Sequence, residues 1–408
     1  MTTALIDVQC LQGPDPERGI PRWTNNFTRA LKLRGQQCVG LFNPELPPVH
    51  DVFVDAFHEL TPNSRTSLRN FANHDEVVYI CPSPFEPIRP IRSLFPLHVV
   101  QSKIPVLTVM HDLVLYLFPD LYQLSTGDEQ TYRARRSVFA TSDLFLTVSR
   151  STQNDLMRLW DIQLERTCVI GAGVDPFFTP SDTTPMSLRN IGVTKDFVFC
   201  VGRADARKQT VFAIEMFAAL PVRTRETMQL VISCRVDDNQ KLLWFELGAH
   251  LGLSENQLII TGLVTDDLLR TLYSKCSVFV EPSLYEGFGF PIAEAASCGT
   301  VVISSNTSSM IEILEWSEST FDPKDLVAAS LLLDRAINDD SYRVRNLEAG
   351  SKVRDRHSWN NVATRTISAI DKLARRIQVP ELRLKEIDPR EFPSKAIGRT
   401  FPITDFDH

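Results

Sequence analysis

The sequence predicts an α/β fold made of two domains, each built around a parallel sheet. The chain has 408 residues, which is more than one ordinary hydrophobic core accommodates. Short apolar runs rich in β-branched residues, such as 77–81 and 106–110, alternate with helical stretches, which indicates strands joined by helical crossovers. A polar, turn-prone segment at 181–195 interrupts this alternation, and a second series begins with the apolar run 197–201.

The predicted domain boundaries follow these changes in composition. Residues 1–180 are expected to form the N-terminal domain, 181–195 the linker and 196–373 the C-terminal domain. Residues 374–408 are rich in proline and charge and form a C-terminal tail.

The composition argues against several classes of protein. A hydrophobic content of 43% and a charged content of 23% are typical of a globular protein, and a net charge of −7 argues against a nucleic-acid partner. No apolar run is long enough to span a bilayer, and Asp7 interrupts the N-terminal stretch where a secretory leader would continue, so we expect a cytoplasmic protein. The eight cysteines occur singly, without a C-x-x-C motif, and no metal cofactor is expected.

The ends of the predicted strands indicate where a site would lie. In a parallel sheet, the loops that follow the carboxyl ends of the strands face a common crevice. The run 106–110 ends directly in His111, and the run 197–201 is followed by Arg203 and Lys208. Two basic side chains after a strand end suit a ligand that carries negative charge, because they can stabilise it without a metal.

Residues 277–300 carry the most informative pattern, an apolar strand that passes through a glycine-bearing turn into a helix. Gly287 and Gly289 end the strand, and backbone N–H groups at the start of the following helix are suited to a ligand with oxygens or negative charge. Glu286 and Glu294, separated by seven residues, frame the turn. Both carboxylates are expected to project into the crevice above the strand ends.

The stretch EGFGFPIAE, which contains both glutamates, resembles the signature of the retaining, nucleotide-sugar-dependent glycosyltransferases of family four. The segments TVMHDLVLYLFP and VGRADARKQ also resemble segments of that family, and the resemblance extends to about Leu373. It implies the GT-B architecture, in which two Rossmann-like domains face each other across a cleft. It also implies transfer of a hexosyl group from a nucleotide-sugar, GDP-mannose or a UDP-sugar, to an acceptor hydroxyl, without a metal.

The resemblance implies a role for each matching residue. Arg203 and Lys208 would hold the donor diphosphate, Glu286 the hydroxyls of the donor sugar and Glu294 those of the ribose, while His111 would orient the sugar or stabilise an oxocarbenium-like state. The expected catalytic residues are His111, Glu286, Arg203 and Lys208. The expected donor-binding residues are Gly19, Gly202, Arg203, Lys208, Val264, Glu286, Gly287, Phe288, Gly289, Phe290 and Glu294.

The sequence departs from the family pattern at two positions. Pro21 stands where the family commonly has a second glycine, and Ile311 stands where a proline usually precedes the glutamate that Glu312 matches. These departures support one alternative, a non-catalytic GT-B subunit that partners an active glycosyltransferase. A nucleotide-sugar epimerase on the same architecture is a second alternative. An epimerase would form product from the donor alone.

The family resemblance leaves the acceptor open among a polysaccharide, a lipid-linked glycan and a small molecule, and a lipid-linked acceptor would bring the protein to the inner face of the membrane. The tail 374–408 is expected to return to the N-terminal domain. Arg133, Arg135 and Arg136 form a small basic cluster, which we interpret as a solvated helix face.

Overall fold

The computed structural model describes residues 2–13, 19–72, 77–85, 99, 104–122, 126–181 and 186–377. The described residues form two parallel sheets, with seven and six strands, each associated with helices. The predicted α/β fold with two parallel sheets is therefore confirmed.

The first sheet has the strand order β3-β2-β1-β4-β5-β6-β7, and all of its pairings are parallel. Its strands are β1 (Thr3–Asp7), β2 (Gln37–Phe42), β3 (Glu59–Pro62), β4 (Val77–Cys81), β5 (Val106–Met110), β6 (Leu144–Thr147) and β7 (Thr167–Val169). The helices that accompany it are α1 (Ile20–Leu33), α2 (Asp51–Val54), α3 (Arg65–Ala72), α4 (Val114–Leu117), α5 (Pro119–Tyr122), α6 (Thr126–Phe139) and α7 (Arg150–Trp160).

The second sheet has the order β10-β9-β8-β11-β12-β13, again with parallel pairings. Its strands are β8 (Asp196–Val201), β9 (Met228–Ser233), β10 (Leu258–Gly262), β11 (Val278–Glu281), β12 (Val302–Ser305) and β13 (Thr320–Phe321). The helices from the linker onward are α8 (Met186–Arg189), α9 (Thr210–Ala218), α10 (Val222–Thr227), α11 (Asp238–His250), α12 (Asp266–Lys275), α13 (Phe290–Ser297), α14 (Ile311–Leu314), α15 (Leu326–Asn338), α16 (Asp340–Ser351), α17 (Val353–Arg356) and α18 (Trp359–Ile377).

The strand order reverses once in each sheet, and this reversal creates the crevice. In the first sheet β1 lies between β2 and β4, and in the second sheet β8 lies between β9 and β11. Connections that leave in opposite directions at such a point open a space beyond the carboxyl ends of the strands. The loops after β5, β8 and β11, which carry the predicted site residues, all start at this edge of their sheet.

Helix α6 corrects one prediction. Arg135, interpreted from the sequence as part of a solvated face, is fully buried. Its Nη1 donates to the carbonyl oxygen of Pro84 at 3.4 Å, and burial lowers its pKa. The helix turns Arg135 toward the core together with Tyr132, one turn earlier, whereas Arg133 faces solvent and pairs with Glu129. The sequence did not reveal this because three neighbouring arginines point in three directions on a helix.

The last described helix, α18, packs against α1 of the first domain. Arg34 at the end of α1 donates to Thr364 Oγ1 at 2.5 Å, and the rings of Trp23 and Trp359 meet edge to face at 5.8 Å. Arg365 donates to the carbonyl oxygen of Ile170 at 3.2 Å. The return to the first domain thus begins within the range 196–373 that was predicted for the second domain. Most of the predicted tail, 378–408, lies outside the described residues.

Candidate active site between the domains

The turn between β11 and α13 is shaped by glycine and fixed by the following loop. Gly289 adopts a left-handed φ of +103° immediately before α13 begins. Ser309 Oγ lies 2.8 Å from the carbonyl oxygens of both Glu286 and Phe288, and the Glu286 N–H donates to Ser308 Oγ at 2.9 Å. The backbone that carries Glu286 is therefore held by hydrogen bonds on both sides of the residue.

The Glu286 carboxylate sits among cationic and hydroxyl donors. Its Oε1 accepts from Lys208 Nζ at 2.8 Å, from Arg207 Nη1 at 2.8 Å and from Ser283 Oγ at 2.9 Å. Burial alone would raise the pKa of Glu286, but the charges of Lys208 and Arg207 lower it below the usual value. Glu286 is therefore an ionised carboxylate in a positively charged recess.

A second glutamate lies beneath this group. Glu281, the last residue of β11, is fully buried, and its Oε1 lies 2.5 Å from Ser283 Oγ and 3.6 Å from Lys208 Nζ. Burial raises the pKa of Glu281, while the charge of Lys208 opposes that rise. Burial also lowers the pKa of Lys208, but Glu281 and Glu286 raise it above its usual value, so the ammonium group stays charged.

The structure places the two residues of the predicted basic pair, Arg203 and Lys208, in different environments. Lys208 reaches Glu286, but Arg203 is exposed, and its side chain has no hydrogen bond or ion pair with the described part of the chain. Only its backbone is held, by the Thr210 hydroxyl. Arg207, in the 3-10 turn Ala206–Lys208, contacts Glu286 instead. We did not single out Arg207 from the sequence; its position next to Lys208 in a strand-end loop was the available signal.

The second predicted glutamate, Glu294 on α13, lies in a different environment. The Tyr273 hydroxyl donates to Glu294 Oε2 at 3.0 Å, and burial raises the pKa of Glu294 to about 7 although this hydrogen bond and the charge of Arg22 oppose the rise. Arg22 itself bridges the domains, with ion pairs to Asp175 at 2.9 Å and to Asp266 at 2.7 Å. Near neutral pH Glu294 is therefore poised between its protonated and ionised forms.

His111 follows β5 and is held as a neutral imidazole. Its Nε2 lies 2.9 Å from the carbonyl oxygen of Pro82, so we assign the ring proton to Nε2 and leave Nδ1 as an acceptor. Burial lowers the pKa of His111 to about 4. The ring meets that of Trp23 edge to face at 4.7 Å. This environment suits an uncharged orienting group rather than a cation.

The backbone of His111 lies close to the turn between β11 and α13, which carries Glu286 and is called the glutamate turn below, although the two belong to different domains. Thr152 Oγ1, from the first domain, lies 3.2 Å from the carbonyl oxygen of His111 and 3.2 Å from that of Gly287 in the second domain. The structure thus brings His111 and the turn with Glu286 together, although they lie on different sheets.

Two further contacts hold the domains together beside this site. The Tyr285 hydroxyl donates to Asp155 Oδ2 at 2.9 Å. The Glu312 carboxylate accepts from the N–H groups of Arg150 at 2.9 Å and Ser151 at 2.8 Å, at the start of α7. An anionic side chain at a helix N-terminus is stabilised by unpaired N–H groups and by the helix dipole. The structure is that of a closed cleft.

The remaining predicted donor-binding residues lie before α1 and after β8, β10 and β11. Gly19 precedes α1 with a left-handed φ of +63°, Gly202 is buried directly after β8, and Val264 is half-buried after β10. Phe288 is 5% exposed, and its ring lies 4.9 Å from that of Phe290. Their roles toward a donor stay predictions.

No metal-binding cluster of three or more His, Cys, Asp or Glu side chains occurs in the part of the chain that the structure describes. None of the helices in the described ranges combines the length and apolar character that crossing a bilayer requires.

Comparison with known families identifies the second domain. Residues 188–353 match the family described as Glycosyl transferases group 1. Residues 188–353 form a group 1 glycosyltransferase domain. This glycosyltransferase domain contains five of the site residues: Arg203, Arg207, Lys208, Glu286 and Glu294. His111 lies in the other domain. The predicted family resemblance is confirmed.

Two curated relatives extend the similarity beyond the group 1 glycosyltransferase domain. The chain is 26% identical over 406 residues to the serotype-specific mannosyltransferase WbdA of Escherichia coli, covering 90% of this chain and 48% of WbdA. It is 26% identical over 322 residues to the O-antigen chain mannosyltransferase B of Escherichia coli, covering 78% of this chain and 80% of that protein. The chain therefore spans about half the length of WbdA.

Solved structures share the fold over most of the chain. The Anabaena protein HepE, crystallised with UDP and glucose, superposes with a TM-score of 0.69 at 14% identity, covering 91% of this chain and all of HepE. Sucrose-phosphate synthase from Thermosynechococcus elongatus superposes with a TM-score of 0.67 at 19% identity, covering 91% and 98% of the two chains. The GT-B architecture predicted around the group 1 glycosyltransferase domain is thereby confirmed.

Proposed function

We propose that this protein is a retaining glycosyltransferase that moves a hexosyl group from a nucleotide-sugar to an acceptor hydroxyl. The observation that carries the proposal is the position of Glu286, an ionised carboxylate paired with Lys208 and Arg207 in a closed cleft between two domains. The names of the relatives WbdA and O-antigen chain mannosyltransferase B favour mannose as the sugar. GDP-mannose is the first donor to test, followed by UDP-sugars.

The proposed step forms and breaks one glycosidic bond on the same face of the sugar. The bond between the anomeric carbon and the donor's β-phosphate oxygen breaks, and the acceptor oxygen bonds to that carbon from the side that the phosphate leaves. The departing phosphate oxygen takes the proton of the acceptor hydroxyl, so no carboxylate nucleophile takes part. The transition state has oxocarbenium character, and the negative charge grows on the leaving diphosphate.

Basic residues would stabilise that growing charge. Lys208 is charged at neutral pH, and Arg203 is exposed near the same strand end, so both are available to an incoming diphosphate. Preorganised cations are most effective where charge develops during the reaction, in a site from which water is excluded. We propose that these cations stabilise the leaving diphosphate without a metal ion.

Carboxylates would orient the donor. Each carboxylate can accept two hydrogen bonds from a vicinal diol, which suits Glu286 to the sugar hydroxyls and Glu294 to the ribose hydroxyls. His111 lies against the glutamate turn as a neutral ring and would orient the sugar. The closed cleft, with Thr152 between the two domains, would exclude water and limit hydrolysis of the donor.

The proposal is tested by donor binding followed by transfer. The purified chain is screened for thermal stabilisation by GDP-, UDP-, TDP- and ADP-sugars in the presence of a chelator. A ligand at a hundred times its dissociation constant adds about 2.7 kcal/mol of stability. The stabilising donor is then incubated with mannosyl acceptors, and the anomeric configuration of the product is determined by NMR. We expect an α-linked product from an α-linked donor.

Two variants make the test specific. Glu286→Gln and Lys208→Met should each reduce transfer by on the order of a hundredfold. The matched control is Glu318→Gln, an exposed carboxylate in the second domain that pairs with Arg335, and it should transfer at the wild-type rate. Donor binding without transfer to any acceptor would favour the non-catalytic subunit, and product formed from the donor alone would favour the epimerase. An inverted product would refute retention.

A further inference from the structure

Arg207 is held by several partners in the site. Its Nε donates to the Tyr122 hydroxyl at 3.0 Å, and its Nη1 contacts both the carbonyl oxygen of Tyr285 at 2.5 Å and Glu286 Oε1 at 2.8 Å. Its Nη2 lies 3.7 Å from Asp205 Oδ2. Only 12% of the side chain is exposed. A guanidinium held on three sides has little freedom to turn toward a ligand.

One of these partners comes from the opposite domain. Tyr122 ends α5 of the first domain, whereas Asp205 and Arg207 follow β8 of the second. The Tyr122 hydroxyl donates to Asp205 Oδ2 at 2.9 Å while it accepts from Arg207. These two hydrogen bonds can exist only when the cleft is closed, because they join the two domains.

Lys208 is held differently. It shares Glu286 with Arg207, and its other charged neighbour is Glu281 at 3.6 Å. Both of its ionic partners are carboxylates of its own domain, and no contact across the cleft holds it in the described structure. The two cations on Glu286 therefore differ: one is locked in place by the closed cleft, and the other can be redirected.

We propose that Arg207 is a positioning residue that keeps Glu286 ionised and oriented when Lys208 turns to the donor diphosphate, and that Tyr122 couples this arrangement to closure of the cleft. The inference rests on the proposed glycosyltransferase function. A buried carboxylate that loses its only cationic partner becomes an uncompensated charge and takes up a proton. With Arg207 in place, Lys208 can leave without that consequence, and Glu286 keeps both its charge and its Ser283 hydrogen bond.

The proposal makes Arg207 distinct from a phosphate ligand. A phosphate ligand contributes to the affinity for the nucleoside diphosphate as well as to the rate of transfer. A residue that acts through Glu286 affects the rate of transfer but leaves that affinity nearly unchanged. Loss of Arg207 should also raise the pKa of Glu286, because a neighbouring positive charge is removed. The acidic limb of the pH–rate profile should then move to higher pH.

The experiment compares Arg207→Met, Arg207→Lys and Tyr122→Phe with the wild-type chain, using the donor that the wild type transfers and its nucleoside diphosphate. For Arg207→Met we expect kcat to fall by on the order of a hundredfold, with nucleoside diphosphate affinity within about threefold of wild type. Arg207→Lys should be faster than Arg207→Met, because lysine restores the positive charge but lacks the planar guanidinium with its fixed arrangement of N–H donors. Tyr122→Phe should raise the fraction of donor lost to water, with a smaller effect on kcat.

Arg335→Met is the matched control, since this arginine pairs with Glu318 and Asp339 of the same domain and contacts none of the site residues named above. Melting temperatures verify that each variant is folded, and Arg207→Lys and Tyr122→Phe keep the test valid if Arg207→Met does not fold. A nucleoside diphosphate affinity that falls as much as in Lys208→Met would overturn the proposal in favour of a phosphate ligand. Wild-type rates and an unshifted pH profile in all three variants would also overturn it while leaving the proposed function intact. A wild-type chain that transfers no sugar would overturn both.

Discussion

The carbonyl oxygen of His111 lies directly against Gly287 of the opposite domain: a Cβ atom at Gly287 would fall 2.0 Å from that oxygen and 2.9 Å from the Cβ of Asp112. Such distances are far shorter than any van der Waals contact allows. Closure of the cleft around the glutamate turn therefore requires a residue without a side chain at this position.

Gly287→Ala should prevent full closure. We expect transfer to fall by on the order of a hundredfold, because the two halves of the site would be displaced by an ångström or more. Nucleoside diphosphate binding, measured by calorimetry, should be much less affected, since the residues proposed to bind the diphosphate and the ribose belong to the second domain. Gly350→Ala is the control, because its Cβ would lie 3.6 Å from Ala296, an ordinary contact. Equal transfer by both variants would show that the closed cleft is not the reactive form.

Glu294 should make nucleotide affinity depend on pH. Its pKa of about 7 means that roughly nine-tenths of the side chain is protonated at pH 6, and a protonated carboxyl accepts a ribose diol poorly. Affinity for the nucleoside diphosphate should therefore increase about tenfold from pH 6 to pH 8. Glu294→Gln should remove this dependence, and calorimetric titrations at several pH values measure both effects. A pH-independent affinity in the wild type would argue against a ribose contact.

The contribution of Glu294 to the free energy of unfolding should decrease as pH rises, whereas its contribution to nucleotide affinity increases. A carboxyl whose pKa is raised from 4.5 to about 7 by burial stabilises the fold less as pH increases through that window, because the folded state must release a proton that it holds tightly. Glu294→Gln has no such proton. Its free energy of unfolding relative to wild type should rise between pH 5 and pH 8, by on the order of 1–3 kcal/mol. Denaturant titrations without ligand measure this difference.

Glu312 should hold the domains together through the start of α7. Glu312→Ala leaves the N–H groups of Arg150 and Ser151 without their carboxylate, and we expect the KM for the donor to increase about tenfold. Small-angle X-ray scattering should report a larger radius of gyration. Glu318→Ala, which removes an exposed carboxylate from within the second domain, should change neither quantity. An unchanged radius in Glu312→Ala would show that this contact does not maintain closure.

Gly202 should be required for packing as well as for any donor contact. A Cβ at this residue would lie 2.8 Å from Ile232 Cγ2 and 3.0 Å from the Thr210 side chain. Gly202→Ala should therefore destabilise the fold by about 1–3 kcal/mol, as overpacking of a core does. Thermal unfolding measures the loss, with Gly350→Ala as the comparison. A melting temperature equal to wild type would show that the loop after β8 shifts to accommodate the added methyl group without loss of stability.

Much of the architecture could be predicted from the sequence, because the relevant signals are local. Runs such as 77–81 and 106–110 are almost entirely apolar, since strands of a parallel sheet are covered on both faces, and they became β4 and β5 with the predicted bounds. The glycines and glutamates of the turn after β11 likewise occur within one short stretch. Their spacing, together with the strand before them and the sequence around them, marked the turn as a candidate site.

Side-chain partners could not be predicted in the same way. Arg203 and Arg207 lie four residues apart in one loop, and nothing in the sequence shows which of them reaches Glu286, because that depends on how the 3-10 turn Ala206–Lys208 directs each side chain. Arg135 was misjudged for a related reason: the direction in which a helix presents each residue is decided by what packs against it.

The sequence by itself determined the fold class, the family of the second domain and the residue types available at the strand ends, since these follow from hydrophobic periodicity and from short motifs. The tertiary structure alone decided the contacts across the cleft. Arg150 and Glu312 are separated by 162 positions, and Thr152 and Gly287 by 135. Such pairs meet only because two independently formed sheets close on each other, and that depends on the shape and charge of complete surfaces rather than on any local pattern.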